Sequence, residues 1–242
     1  MDSFVLKVQK VLNKLGAGLV VDGIRGPKTD AALDAEAGEV SAPPASGAKF
    51  HEPTFVVHKD IKFDTNGKYK TPTGKFIGLT VHYTVSGDSP RGVLGWLAEQ
   101  GYGCMVMGHD GSIHIPAGFD IFTDWNDHSG KSKWRGLLGV SKYYAGMEIC
   151  CWGKDSKVGP FRESKGEANI IPGKYQQFTK EQEEELTNFI LWAKSKNPDF
   201  NLDNVVGHDE LRTEYGLKGD KQDPGASLSM TMPEYREKLK SL

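Results

Sequence analysis

Cysteine is scarce, no apolar run is long enough to cross a bilayer, and neither sign of charge dominates. Each shortage removes a class of protein. Three cysteines in 242 residues are an odd number and too few for a disulfide framework. Cys150 and Cys151 are adjacent and would point to opposite faces of a strand. Buried, reduced thiols are the expected state. No motif around Cys104 or Cys150 supports a nucleophile, so a cysteine peptidase is the weakest of the enzyme readings. A membrane-spanning helix needs about 20 consecutive apolar residues, and the sequence offers none. Lysine and arginine total 30 against 32 acidic residues, a formal charge of −2. Without a basic face, nucleic acid is not an expected partner. The opening MDSFVLKVQKVLNKLG places Lys7, Lys10 and Lys14 among its apolar residues. That is an amphipathic helix, not the uninterrupted apolar core of a secretory signal. The expectation is synthesis in the cytoplasm without a signal peptide.

What is present divides into three stretches. Phe4, Val8, Val11, Leu12 and Leu15 trace one helical face. Gly16 and Gly18 end that helix, and Gly23, Gly26 and Pro27 suit a tight turn into a second one. Residues 1–37 thus read as a small all-α module. Residues 38–49, GEVSAPPASGAK, are small and proline-bearing and read as a linker. Residues 50–242 alternate strand and helix signals. FIGLTVHYT (76–84) and AGMEICCWG (145–153) read as buried strands, and PRGVLGWLAEQ (90–100) as a helix with Pro90 near its start. CMVMGHDGSIHIP (104–116) reads as a hairpin turning at Asp110-Gly111. Thr179 and Gln182 have capping-box spacing ahead of a helix whose inner face is Leu186, Phe189, Ile190 and Ala193. VVGHDE (205–210) reads as a short strand running into a loop, and Pro233 starts a last helix. The fold class predicted is α/β, a mixed central sheet flanked by helices.

Three side chains in this pattern suit metal chemistry. His82 and His208 each close a strand-like segment, and Asp223 follows in LKGDKQDPG. Two histidines and a carboxylate form a zinc set that leaves a fourth position for water. The sequence has seven histidines, so this triple competes with ordinary core and surface roles. Glu148 interrupts an apolar strand, where a carboxylate is costly unless paired or functional. It is either a general base or a strand-end glutamate turned to solvent or to a lysine. Lys221 either supports a developing oxyanion or is a solvated loop residue. His51, His58, His109 and His114 have no metal-like context.

The ordered set of motifs is more specific than any one of them. TVHYT around His82, the Asp110-Gly111 turn, HSG at 128–130, AGMEI around Glu148, VGHDE around His208 and KQDPG around Asp223 follow one another between residues 76 and 225. In this order they resemble the zinc amidase family that includes T7-type lysozyme, bacterial N-acetylmuramoyl-L-alanine amidases and peptidoglycan recognition proteins. The resemblance implies the type 2 amidase fold and hydrolysis of the amide between N-acetylmuramic acid and L-alanine by a zinc-activated water. It implies one Zn2+ per chain on His82, His208 and Asp223, catalytic roles for Glu148 and Lys221, and substrate contact by His128. Many relatives carry a histidine before the Asp-Gly turn where this chain has Cys104, and the tyrosine used by some phage enzymes is absent. The chain therefore resembles the glutamate-using type. The alternative within the family is a recognition protein that binds peptidoglycan without cutting it.

The stretch VQKVLNKLG…VDGIRGPKTDAAL resembles a peptidoglycan-binding repeat, shortened where the chain passes into DAEAGEVSAPP. A wall-binding element joined to a wall-cutting one resembles a modular phage endolysin. That implies bacterial peptidoglycan as the partner, no membrane insertion, a monomer, and action on the wall after holin-dependent release.

Overall fold

The computed structural model describes residues 50–63, 75–103 and 105–242, together with Val21. The module expected over 1–37 and the linker over 38–49 lie outside the described residues apart from Val21, as does Cys104. Contacts divide the chain between Ser46 and Gly47, and the strands and helices described below belong to the second unit, Gly47–Leu242.

Among the described residues, in chain order, the strands are β1 (Phe55–Lys62), β2 (Gly78–Tyr83), β3 (Met105–Met107), β4 (Ile113–Ala117), β5 (Lys133–Trp134), β6 (Leu137–Leu138), β7 (Tyr144–Ile149), β8 (Phe161–Ser164), β9 (Gly173–Gln176) and β10 (Val205–Gly207). The α-helices among the described residues are α1 (Pro90–Gln100), α2 (Lys180–Lys196), α3 (His208–Tyr215) and α4 (Met232–Ser241). Six strands form one sheet in the order β1-β4-β3-β7-β2-β10. Only the β3–β4 pair is antiparallel; β1–β4, β3–β7, β7–β2 and β2–β10 are parallel. The result is a mixed α/β sheet flanked by helices, as the alternating signals predict.

Local chemistry explains the elements the sequence announced. Pro90 sits in the first turn of α1, where its missing N–H costs nothing, and Gly101 ends the helix in the left-handed conformation at φ 68°. In the β3–β4 turn, Asp110 Oδ1 accepts from the Ser112 N–H at 2.9 Å and its hydroxyl at 2.6 Å. Gly111 holds φ 84° there, and a Cβ would stand 2.9 Å from the Glu181 carbonyl oxygen. Thr179 and Gln182 cap α2 reciprocally, with Glu181 and Glu183 in its first turn and Lys194 and Lys196 in its last.

One expectation fails. His208, Asp209 and Glu210 form the first turn of α3, not a loop. The Gly207 N–H donates to Glu210 Oε2 at 3.0 Å, which satisfies a donor just ahead of the helix. Arg236 on α4 grips the same carboxylate, Nη1 to Oε2 at 2.7 Å and Nη2 to Oε1 at 2.8 Å. The helix rests on these contacts more than on an apolar stripe, since Leu211 is the single buried hydrophobic residue on it.

The period-2 alternation of β2 and β7 sorts two environments. Leu79, Val81, Ala145, Met147 and Ile149 pack with Leu186, Phe189, Ile190 and Ala193 of α2 and with Tyr235 and Leu239 of α4. The intervening residues His82, Gly146 and Glu148 face the other way. On that side Leu94 and Leu97 of α1 pack with Val106 and Cys150, and Leu211 of α3 packs with Tyr144 and Val206. The space between α1 and α3 is the cleft. Cys150 and Cys151 enter the clusters on opposite sides of the sheet, as adjacent strand residues should.

Candidate metal centre

The cleft has a volume of about 430 Å³ and is lined by His82, His128, Glu148, His208, Lys221 and Asp223, among others. These are all six of the site residues expected from the sequence. His82 stands next to last in β2, His208 starts α3 directly after β10, and Glu148 stands next to last in β7. Three parallel strands thus deliver their functional residues at their carboxyl ends, where open α/β sheets carry ligands.

His82, His208 and Asp223 are all buried, and their candidate ligand atoms lie within 4.8 Å of one another. His82 Nδ1 is 2.8 Å from Asp223 Oδ2, and His208 Nδ1 is 3.1 Å from the same oxygen. Two imidazole nitrogens gathered on one carboxylate oxygen suit a borderline cation such as zinc. Zinc bonds of about 2.0–2.1 Å place tetrahedral ligand atoms about 3.3 Å apart, so each histidine–aspartate gap needs to open by only a few tenths of an ångström. The donor set fits the metal. Burial opposes ionisation of Asp223, but the His208 and His82 imidazoles more than offset it and hold the carboxyl well below the usual carboxylate range. Burial also pushes His82 down from its ordinary value, which favours the neutral form that binds metals.

Glu148 is half-buried in the cleft. Burial pushes its carboxyl up to about 8, the Asp223 charge adds to the rise, and the Lys221 ammonium opposes it. A carboxylate so placed is a stronger base than a solvated one. Lys221 is exposed on the same cleft.

His128 is more deeply engaged than a substrate-facing loop residue. Its Nδ1 lies 3.1 Å from His82 Nε2, and its Nε2 donates to the Tyr144 carbonyl oxygen at 2.8 Å. Burial pushes it down to about 3. The segment carrying it is tied down by hydroxyls. The His128 N–H donates to Ser141 Oγ at 3.2 Å, and Ser141 Oγ donates to Asp127 Oδ1 at 2.7 Å.

The cleft walls also include residues the sequence did not single out. Trp96 of α1, 55% exposed, and Tyr102, 44% exposed, set their rings 6.0 Å apart. Arg212 of α3 binds Asp220 and the Lys131 carbonyl, fastening the loop that carries Lys221 and Asp223. A tryptophan in the helix after the His82 strand was a detectable signal; Arg212 had none until α3 was known. The remaining histidines stay apart from the site: His58 pairs with His114 at 2.8 Å, and His51 and His109 lie near Glu185 and Asp88. Burial pushes the Cys150 thiol up to about 11, away from the thiolate a cysteine peptidase requires.

No family model and no curated protein matches the chain. Solved structures do. AmpDh3 from Pseudomonas aeruginosa in complex with an anhydromuramic pentapeptide is similar at 19% identity and TM-score 0.48, over 74% of this chain and 66% of that one. The endolysin N-acetylmuramoyl-L-alanine amidase LysCS from Clostridium intestinale is similar at 15% identity and TM-score 0.46, over 78% of this chain and 97% of that one. The N-acetylmuramyl-L-alanine amidase AmiD from E. coli, bound to an anhydro-N-acetylmuramic acid peptide, is similar at 16% identity and TM-score 0.44, over 74% and 65%. The chain thus spans just under two thirds of the AmpDh3 and AmiD chains. No described helix is long and apolar enough to cross a membrane.

Proposed function

We propose that the cleft hydrolyses the amide bond between N-acetylmuramic acid and L-alanine in bacterial peptidoglycan, with one zinc ion per chain on His82, His208 and Asp223. The observation that carries the metal-assisted chemistry is the convergence of those three buried ligands in one cleft with Glu148 and Lys221. The substrate class rests on the ordered motifs from TVHYT to KQDPG. A zinc ion in such a site supplies Lewis acidity toward the carbonyl and lowers the pKa of water.

The side chains supply the rest. Glu148 takes a proton from the attacking water and returns it to the leaving nitrogen, so that one carboxyl serves as base and then acid. Its raised pKa suits both tasks. The Lys221 ammonium faces the carbonyl oxygen as negative charge develops there. The products are a lactyl carboxylate on the sugar and a free amine on the L-alanine of the stem peptide. The N-terminal stretch, as a peptidoglycan-binding element, adds affinity for the wall, and the whole chain acts as an endolysin that lyses it.

Digestion of purified peptidoglycan tests this reading. Mass analysis should find free stem peptides beginning with L-alanine, and a chelator should abolish their release. Products cut only within the glycan or within the peptide would refute it.

A further inference from the structure

We propose that His128 is a positioning residue that fixes the tautomer of His82 and so aims a bare Nδ1 at the metal position. The inference rests on the metal reading of His82, His208 and Asp223, and assigns His128 a part in building the centre in place of the expected contact with substrate.

Tyr144 O, the His128 ring, the His82 ring and Asp223 Oδ2 form a line with three gaps, of 2.8, 3.1 and 2.8 Å. Each gap joins two atoms that both carry lone pairs unless a proton or a cation lies between them. Two neutral imidazoles bring one proton each, so two gaps close and one stays open. A carbonyl oxygen only accepts, so the gap at Tyr144 takes the Nε2 proton of His128. His128 Nδ1 is then an acceptor, as Asp223 Oδ2 is, and the one proton of His82 closes only one of the two remaining gaps, at 2.8 Å on the Asp223 side or 3.1 Å on the His128 side. A cation held between His82 Nδ1 and Asp223 Oδ2 excludes the first choice, so the proton sits on Nε2 and His128 Nδ1 holds it there. The cation completes the line, and no other placement of the two protons leaves the gap at Asp223 open.

The fold has made room for this arrangement. A Cβ at Gly146 would stand 2.8 Å from His128 Cγ, and one at Gly103 would stand 3.3 Å from His128 Cβ. Gly146 precedes Glu148 by two residues on the cleft face of β7, so the strand that carries the acid also supplies the slot for the second ring. The rings of His82 and His128 meet edge-on, 5.2 Å apart at 76°. Metal-bound histidines usually donate their outer N–H to a carboxylate, carbonyl or water. Here the acceptor is another imidazole, whose own orientation is set by the backbone of β7.

The test reads the metal site directly. In zinc-loaded wild type, long-range 1H–15N spectra should show the proton on Nε2 of both His82 and His128, with Nδ1 of His128 unprotonated. A chelator should strip zinc from His128→Leu about 10–100-fold faster than from wild type, the range for loss of an outer-sphere partner. The visible spectrum of the cobalt-substituted protein should shift as well. His128→Asn, whose Oδ1 can accept near the Nδ1 position, should restore part of the retention. The wild-type spectra keep the idea testable if His128→Leu does not fold. A proton on His128 Nδ1 would overturn it. So would variants that raise KM while zinc release and the cobalt spectrum stay unchanged, since that is the signature of a substrate contact. A wild type that takes up no zinc would overturn the metal reading itself, and this inference with it.

Discussion

His82 and Glu148 are register partners on the adjacent parallel strands β2 and β7. The pairing puts a metal ligand and a candidate base on the same face, one strand apart, and it separates two acids with different duties. Glu148→Gln keeps the shape and removes the proton acceptor. It should lower kcat by about 10²–10⁴-fold, the range for loss of a general base, while elemental analysis still finds about one zinc per chain. Asp223→Ala should lose zinc and activity together. A Glu148→Gln protein without zinc, or one with near-normal turnover, would show that the roles are misassigned.

The same carboxyl makes a prediction about stability. Glu148 titrates at about 8 in the fold against an ordinary 4.5. Between those values the folded chain holds a proton that the unfolded chain has released. Its contribution to stability is full below about pH 4.5, falls as pH rises, and is lost above about pH 8. Glutamine does not titrate. In metal-free protein, the melting temperature of Glu148→Gln relative to wild type should therefore rise from pH 5 to pH 8.5 and level off above that. A difference independent of pH would mean that Glu148 is solvated like an ordinary glutamate.

How much of this could be read from the sequence depends on whether the signal was local. Pro90 starts α1, Thr179 and Gln182 cap α2, and Asp110-Gly111 turns the β3–β4 hairpin; all are signals within a few residues, and all were legible. So was the apolar run around Glu148. The first turn of α3 was not, because Glu210 is fixed by Arg236, 26 residues on, and no apolar period betrays the helix. The bonding of His128 was equally hidden, since it depends on a carbonyl 16 residues away and on the missing side chain of Gly146. The strand order β1-β4-β3-β7-β2-β10 is a matter of long-range pairing that no short window records. The stretch that resembles a peptidoglycan-binding repeat lies outside the described residues apart from Val21, and its wall-binding role stands as a proposal.

That proposal has a direct test. Deleting residues 1–48 should weaken co-sedimentation with insoluble peptidoglycan and leave hydrolysis of a small soluble muropeptide nearly intact. Equal sedimentation of the shortened protein would refute a wall-binding role.

The last prediction concerns the Glu210–Arg236 pair, which joins α4 to the start of α3 and hence to His208. Both side chains are buried, at 5% and 9% exposure. Arg236 also donates to the Val205 carbonyl at 3.0 Å and lies over the Trp134 ring at 5.1 Å. Breaking a buried pair from one side leaves the other charge without compensation, at a cost of about 3–5 kcal/mol, whereas replacing both partners by apolar groups of similar volume is often near neutral. Arg236→Met should therefore destabilise the protein by about that amount in denaturant unfolding. Adding Glu210→Leu should recover much of the stability. It should not recover zinc retention, because the leucine cannot accept the Gly207 N–H, and the turn that presents His208 loses its anchor. Stability and metal retention would then separate in the double variant. If zinc binding returned in step with stability, the pair would be acting only as ballast for α4, and His208 would be positioned by β10 alone.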